Sequence, residues 1–142
     1  MEKHSITITI DSIQHDISEE IVTTCYSGTY ARTEEYQLLR YDEFYEAEDR
    51  TVAKTGTLVK IDGRNITITK KGVISTQMHF SPGKISDGIY QTPFGAFDMR
   101  ITTEEIEIAE PSPSMLVDIT LKYQLSLNGS AVSRYTIHIT AH

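Results

Sequence analysis

The chain has 142 residues, of which 39% are hydrophobic and 23% are charged, a composition typical of one globular domain and unlike that of a disordered chain. Thirteen lysine and arginine residues against twenty aspartate and glutamate residues give a net charge of -7, which disfavours partners such as nucleic acid and anionic membranes. The single cysteine excludes an intramolecular disulfide and fits a reducing compartment.

The first segment alternates between apolar and polar residues. Ile6, Ile8 and Ile10 would share one face of a strand, because successive side chains of a strand point to opposite faces. A signal peptide needs a continuous apolar stretch, which this segment lacks. The longest apolar run, Met115–Val117, is too short to cross a bilayer. We therefore expect a cytoplasmic protein without a membrane span.

The next strand-like segment contains Cys25. Reactive thiolates need a helix amino terminus or a cationic neighbour, and neither is apparent in the residues around Cys25. We expect a buried or half-buried, unreactive thiol.

Residues 34–50 allow two interpretations. Their propensities favour a helix, in which Leu38, Tyr41 and Tyr45 would share a face. The pattern alone leaves helix and strand open.

Turn signals follow at regular intervals. Asp62-Gly63, Lys71-Gly72, Asp87-Gly88 and Thr92–Gly95 bound the strand-like segments 58–61, 66–69, 73–80 and 89–92. Short strands joined by tight turns indicate a barrel or a sandwich, and closure into a barrel removes exposed strand edges.

The carboxy-terminal third contains the clearest hairpin. Apolar and polar residues alternate over 119–127 and again over 134–140, and Asn128-Gly129 between them suits a type I′ turn. Pro111-Ser112-Pro113 is a loop, since proline cannot occupy a central strand. Together these elements predict an all-β fold over residues 1–142, a single domain forming one closed or nearly closed antiparallel barrel of about 8–10 strands.

Several short segments together resemble the YwiB-like family of bacterial domains of unknown function (DUF1934). They are Tyr41-Asp42-Glu43, Lys70-Lys71-Gly72, Met78-His79-Phe80, Tyr90–Gly95, Tyr123-Gln124-Leu125 and Asn128-Gly129. The resemblance extends over nearly the whole chain. It implies a lipocalin-like (calycin) barrel, in which Glu34–Tyr45 is a strand in spite of its local propensity. The family carries no established activity, so the resemblance implies no catalytic residue and no cofactor.

Metal and catalytic motifs find little support. His138 and His142 would lie about 13 Å apart on a strand, too far to share a zinc ion. The chain contains neither a Gly-x-Ser-x-Gly motif nor a phosphate-binding loop. We therefore predict no catalytic residue, no metal site and no cofactor.

Glu43 is the most informative acidic residue. Glu43 and Tyr41 share one face of their segment, opposite Asp42. If this face pointed into a barrel, the Glu43 carboxylate and the Tyr41 phenol would lie together in an environment of low dielectric constant. Such a pair would be suited to bind a polar group. More often such a face points outward. The residues proposed to line a ligand site are Tyr41, Glu43, Met78, Tyr90, Thr92 and Tyr123.

Three functions are compatible with these observations. The first is a non-enzymatic module that binds a small, partly apolar ligand in the barrel or at its mouth. The second is a protein-interaction or scaffold module with a solid core, for instance a homodimer. The third is a hydrolase-type enzyme that uses Glu43.

Overall fold

A computed structural model describes residues 3–46 and 48–142, which form ten strands. The strands are β1 (Lys3–Gln14), β2 (Val22–Arg32), β3 (Gln37–Glu46), β4 (Val52–Asp62), β5 (Asn65–Gly72), β6 (Ser75–Phe80), β7 (Ile85–Thr92), β8 (Gly95–Ile108), β9 (Val117–Leu127) and β10 (Ser133–Ala141). The described residues contain no helix, so the described part of 34–50 holds the strand Gln37–Glu46 and not a helix, while residue 47 lies outside the described residues.

The sheet closes on itself. Each strand pairs in antiparallel fashion with its neighbours in sequence, and β1 pairs with β10, giving a closed barrel with up-and-down topology. The predicted all-β closed barrel is thereby confirmed, at the upper end of the expected strand number.

The two ends of the barrel differ in polarity. Turns 33–36, 63–64, 81–84 and 109–116 lie at one end, which we call the closed end. Inner side chains near it, such as Ile61, Ile66 and Phe80, are almost completely buried. Turns 15–21, 48–51, 73–74, 93–94 and 128–132 lie at the opposite end, which we call the mouth. There Tyr45, on the inner face of β3, is 38% exposed. The hydrophobic core therefore fills the barrel from the closed end.

Two stretches of the wall lack full strand pairing among the described residues. β2 pairs with β3 only through Gly28–Arg32, opposite Gln37–Tyr41, although both strands continue toward the mouth. β6 pairs with β7 only through Ser75 and Thr76. We call these the β2–β3 seam and the β6–β7 seam.

Two sequence-predicted turns need correction. Asp87-Gly88 lies inside β7, where Asp87 pairs with Arg100 of β8 at 2.8 Å and Gly88 leaves space for Met99. The chain reverses instead at residues 81–84. Lys71-Gly72 still belongs to β5, and the reversal occurs over residues 73–74.

The carboxy-terminal hairpin is confirmed with a longer connection. Asn128 and Gly129 both have positive φ, and the Ser130 amide donates to the Leu127 carbonyl, as in a type I′ turn. Five residues nevertheless separate β9 from β10. The Asn128 side chain accepts a hydrogen bond from the Asp98 amide, which ties this turn to β8.

Candidate functional site

A row of polar side chains crosses the inner face of the barrel near the mouth. The strand register places Tyr41 opposite Thr57, Thr57 opposite Lys70, Lys70 opposite Thr76, and Thr76 opposite Tyr90. The next inward row toward the closed end is apolar and includes Leu39, Val59, Ile68 and Met78. The inner face therefore changes from apolar to polar at this row.

An ion pair inside the barrel is the charged centre of this region. Lys70 Nζ lies 2.5 Å from Glu43 Oε1, with the two side chains only 21% and 17% exposed. The Tyr45 hydroxyl donates to Glu43 Oε2 at 2.6 Å. Burial acts to raise the pKa of the Glu43 carboxyl, but the hydrogen bonds from Lys70 and Tyr45 outweigh it and lower this pKa below its ordinary value. Glu43 is therefore a carboxylate at neutral pH.

Tyrosines are concentrated in the half of the barrel that contains this ion pair. Six of the eight tyrosines of the chain lie on inward-facing positions in this half of the barrel: Tyr26, Tyr41, Tyr45, Tyr90, Tyr123 and Tyr135. The rings of Tyr26 and Tyr41 stack with centroids 4.6 Å apart, and those of Tyr123 and Tyr135 with centroids 5.3 Å apart. We call these six tyrosines, Glu43, Thr57 and Lys70 the mouth site.

Several hydroxyls of the mouth site make no hydrogen bond within the described part of the chain. Thr57 is only 4% exposed, and its Oγ1 atom is buried without a hydrogen bond of ordinary geometry. It still lies close enough to Tyr41 and Glu43 to act to lower the pKa of both groups. The hydroxyls of Tyr26, Tyr90 and Tyr123 likewise make none of the hydrogen bonds found among residues 3–46 and 48–142. Of these four hydroxyls only that of Thr57 is a fully buried atom without a hydrogen bond. Buried hydroxyls usually form a hydrogen bond, and all four are available to bind a ligand or water.

Burial raises the pKa of several of these phenols. For Tyr41 burial and then the charge of Glu43 raise the pKa, and for Tyr123 burial and then Tyr135 and Tyr90 do so. Burial and the hydrogen bond to Glu43 raise the pKa of Tyr45 to about 12. The phenols therefore favour folding below the unfolded-state pKa of about 10, and this contribution is lost as the pH rises through the folded-state values.

We expect the barrel to unfold in strong alkali. Phenolate absorbance should develop cooperatively, together with loss of the β-sheet circular dichroism signal, between about pH 10 and 12. Tyr123→Phe should unfold at higher pH than the wild type because it lacks a buried phenol that can ionise. Gradual phenolate formation near pH 10 in an intact barrel would contradict this expectation.

Exposed apolar side chains ring the mouth. They belong to the mouth turns and to the adjoining strand ends: Ile17, Ile21, Val22, Tyr45, Val52, Phe94 and Val132. The most exposed is Phe94, at 95%. We call these seven residues the apolar rim. The apolar rim and the row of polar side chains lie at the same end of the barrel. The mouth can therefore contact both apolar and polar groups of one ligand.

The mouth turns are also acidic. Their described residues include five carboxylates, of Asp16, Glu19, Glu20, Glu48 and Asp49, but only one guanidinium, that of Arg50. These charges are exposed and disfavour an approaching anion.

The residues proposed from sequence fall at three depths. Tyr41, Glu43, Tyr90 and Tyr123 all belong to the mouth site. Met78 lies deeper, in the apolar row next to it. Thr92 ends β7, where its hydroxyl bonds the Phe94 amide and the Gly95 carbonyl within the turn.

The inward direction of Glu43 is the less expected of the two alternatives. Sequence reasoning missed Lys70, because it placed Lys70 next to a turn. The alternation itself carried the signal, since Lys70 follows Ile66 and Ile68 at intervals of two and therefore shares their inward face.

Two other sequence expectations concern Cys25 and the histidines. Cys25 is exposed on β2, with its sulfur 3.7 Å from the Thr9 hydroxyl, so the expectation of a buried or half-buried thiol is wrong. His138 Nε2 lies 2.6 Å from Asp118 Oδ1. Among residues 3–46 and 48–142, no group of three or more histidine, cysteine, aspartate or glutamate side chains is placed to bind a metal ion.

A groove of about 950 Å³ lies on the outer face of β1–β5, and its lining includes Tyr41 and Thr57 of the mouth site. We call it the outer groove. Gly56 forms part of its floor, between the outward side chains of Asp42 and Lys71. A methyl group at Gly56 would meet Asp42 Oδ1 at 3.6 Å, an ordinary contact. Gly56→Ala therefore narrows the outer part of this groove, on the side of the wall opposite the inward side chains of Tyr41 and Thr57.

Comparisons with known proteins agree with the architecture. The "Crystal structure of ywiB protein from Bacillus subtilis" superimposes with a TM-score of 0.80 at 18% sequence identity, covering 99% of this chain and 92% of that chain. Such a likeness shows a common fold. No curated protein matches the chain. No helix among the described residues is long and apolar enough to span a bilayer. The model of the family described as "Domain of unknown function (DUF1934)" matches residues 6–139, and the chain therefore belongs to this family.

Proposed function

We propose that the protein is a non-enzymatic binding module that takes a small, partly apolar ligand at the mouth of its barrel. The observation that carries this proposal is the buried Thr57 Oγ1 atom, which makes no hydrogen bond of ordinary geometry and lies beside the Glu43–Lys70 pair. A barrel selected for stability alone would place apolar side chains at such positions, since an unsatisfied buried hydroxyl is destabilising. The apolar rim supplies a surface for the apolar part of the same ligand.

Thr57→Val tests this proposal. Valine has nearly the shape of threonine but lacks the unpartnered hydroxyl, so we expect the free energy of unfolding to rise by about 1 kcal/mol. If Thr57 bonds the ligand, the affinity should fall by about fivefold, the equivalent of one hydrogen bond. We would measure urea unfolding, and the binding of 1-octanol by isothermal titration calorimetry and tyrosine fluorescence.

A control variant makes the result specific. Gly56→Ala narrows the outer groove and should leave 1-octanol binding unchanged. Binding that is insensitive to Thr57→Val but lost in Gly56→Ala would move the ligand to the outer groove and refute the mouth site.

Protein interaction is a second candidate, favoured by the exposure of Phe94 and the rest of the apolar rim. Native mass spectrometry of the purified protein would report both the oligomeric state and any co-purified small molecule. A dimer that Phe94→Ser dissociates would favour this candidate. A hydrolase that uses Glu43 has less support, because a general acid needs a raised pKa and the pKa of Glu43 is lowered.

A further inference from the structure

The charges of the mouth site are already balanced within the chain. Lys70 and Glu43 neutralise each other at 2.5 Å, and Tyr45 donates to the remaining oxygen of Glu43. A charged group brought next to this pair would be partly desolvated without a counter-ion of its own. A carboxylate ligand would compete with Glu43 for Lys70, and an ammonium ligand would compete with Lys70 for Glu43.

The mouth-site groups that make no hydrogen bond of ordinary geometry among the described residues are uncharged hydroxyls. Thr57, Tyr26, Tyr90 and Tyr123 present hydroxyls that can donate and accept hydrogen bonds. A neutral hydroxyl, amide or carbonyl group complements them without adding charge.

The approach to the site discriminates against anions in particular. The carboxylates of the mouth turns outnumber the guanidinium of Arg50, so an anion meets a repulsive potential before it reaches the apolar rim. Cations are not repelled in this way, but they still meet Lys70 inside the barrel.

We propose that the ligand of the mouth site is an uncharged amphiphile, with a hydrogen-bonding head group held among the tyrosines and Thr57 and an apolar tail against the apolar rim. This inference rests on the proposed binding function and adds the charge class of the ligand. It distinguishes the site from one that binds ionised fatty acids.

Three probes with the same tail test this inference: 1-octanol, octanoate and octylammonium, titrated at pH 7 by isothermal titration calorimetry. We expect 1-octanol to bind at least about tenfold more tightly than octanoate. A tenfold ratio in affinity corresponds to only part of the free energy lost when a charge is desolvated without a counter-ion. We also expect 1-octanol to bind more tightly than octylammonium. Octanoate or octylammonium binding as tightly as 1-octanol would refute the charge class but leave the binding function standing. Failure of all three probes to bind would refute both.

Two variants that each remove one member of the ion pair add a further prediction. Binding to a purely hydrophobic surface would not produce the expected change in probe preference. Glu43→Gln leaves the Lys70 ammonium without its carboxylate, so the affinity for octanoate relative to 1-octanol should rise by about tenfold. Lys70→Met leaves the Glu43 carboxylate, so the preference should shift toward octylammonium. If one variant fails to fold, the other still tests the reversal. Equal probe ratios in the wild type and in a folded variant would show that the ion pair does not set the preference.

Discussion

Gly28→Ala is expected to destabilise the protein by about 2–4 kcal/mol, because the added methyl group would collide with backbone that cannot move. A Cβ atom at Gly28 would lie 2.3 Å from the Arg40 carbonyl oxygen and 2.8 Å from Ile8 Cδ1. Gly28 is the register partner of Tyr41, at the last paired position before the β2–β3 seam. Moving Arg40 away would weaken the short ladder that joins these two strands.

Gly56→Ala is the matched control for this substitution. It adds the same methyl group to a neighbouring part of the wall, where the nearest atom is 3.6 Å away. We expect its free energy of unfolding, measured by urea denaturation, to equal or exceed that of the wild type, since glycine weakens a strand. Comparable stability of the two variants would show that the close approach at Gly28 is not a constraint.

Phe80→Ala is expected to cost about 3–5 kcal/mol, the range found when a buried aromatic ring is replaced by a methyl group. Phe80 is among the largest fully buried side chains, and its ring meets that of Tyr123 edge-on with centroids 4.9 Å apart. Its removal leaves a cavity between the closed end and the mouth site. We therefore expect a lower midpoint of thermal unfolding.

Phe94→Ala is the matched control for Phe80→Ala, because the Phe94 side chain is exposed whereas that of Phe80 is buried. Phe94 lies on the apolar rim, so its removal should change the unfolding free energy by less than about 0.5 kcal/mol while weakening 1-octanol binding. Equal destabilisation by the two phenylalanine substitutions would contradict the assigned core.

Alternation along single strands made much of the fold predictable. Ile6, Ile8 and Ile10 mark the inner face of β1 without any knowledge of their neighbours. Residues 34–50 were ambiguous because charged and aromatic residues suit a helix as an isolated segment. The pairing of β3 with β2 and β4 decides in favour of the strand, and this pairing involves residues outside the segment itself.

The mouth site was only partly predictable, because its chemistry depends on contacts between strands. A carboxylate rarely faces inward without a partner, and the partner of Glu43 is 27 residues away. The Asp87-Gly88 pair shows the opposite error, since a local turn signal is overridden by the pairing of β7 with β8. Pairwise contacts of this kind are absent from any local pattern.

The two seams divide the wall into unequal halves, a four-stranded sheet of β3–β6 and a six-stranded sheet of β7–β10 with β1 and β2. The β6–β7 seam has two register pairs, the fewest between any neighbouring strands in the described part of the chain, so separating β6 from β7 breaks the fewest ladder hydrogen bonds. Tyr41 and Tyr90 belong to the last paired positions at the two seams. A ligand bound to both phenols would therefore connect the two halves, including across the β6–β7 seam, where ladder pairing is shortest.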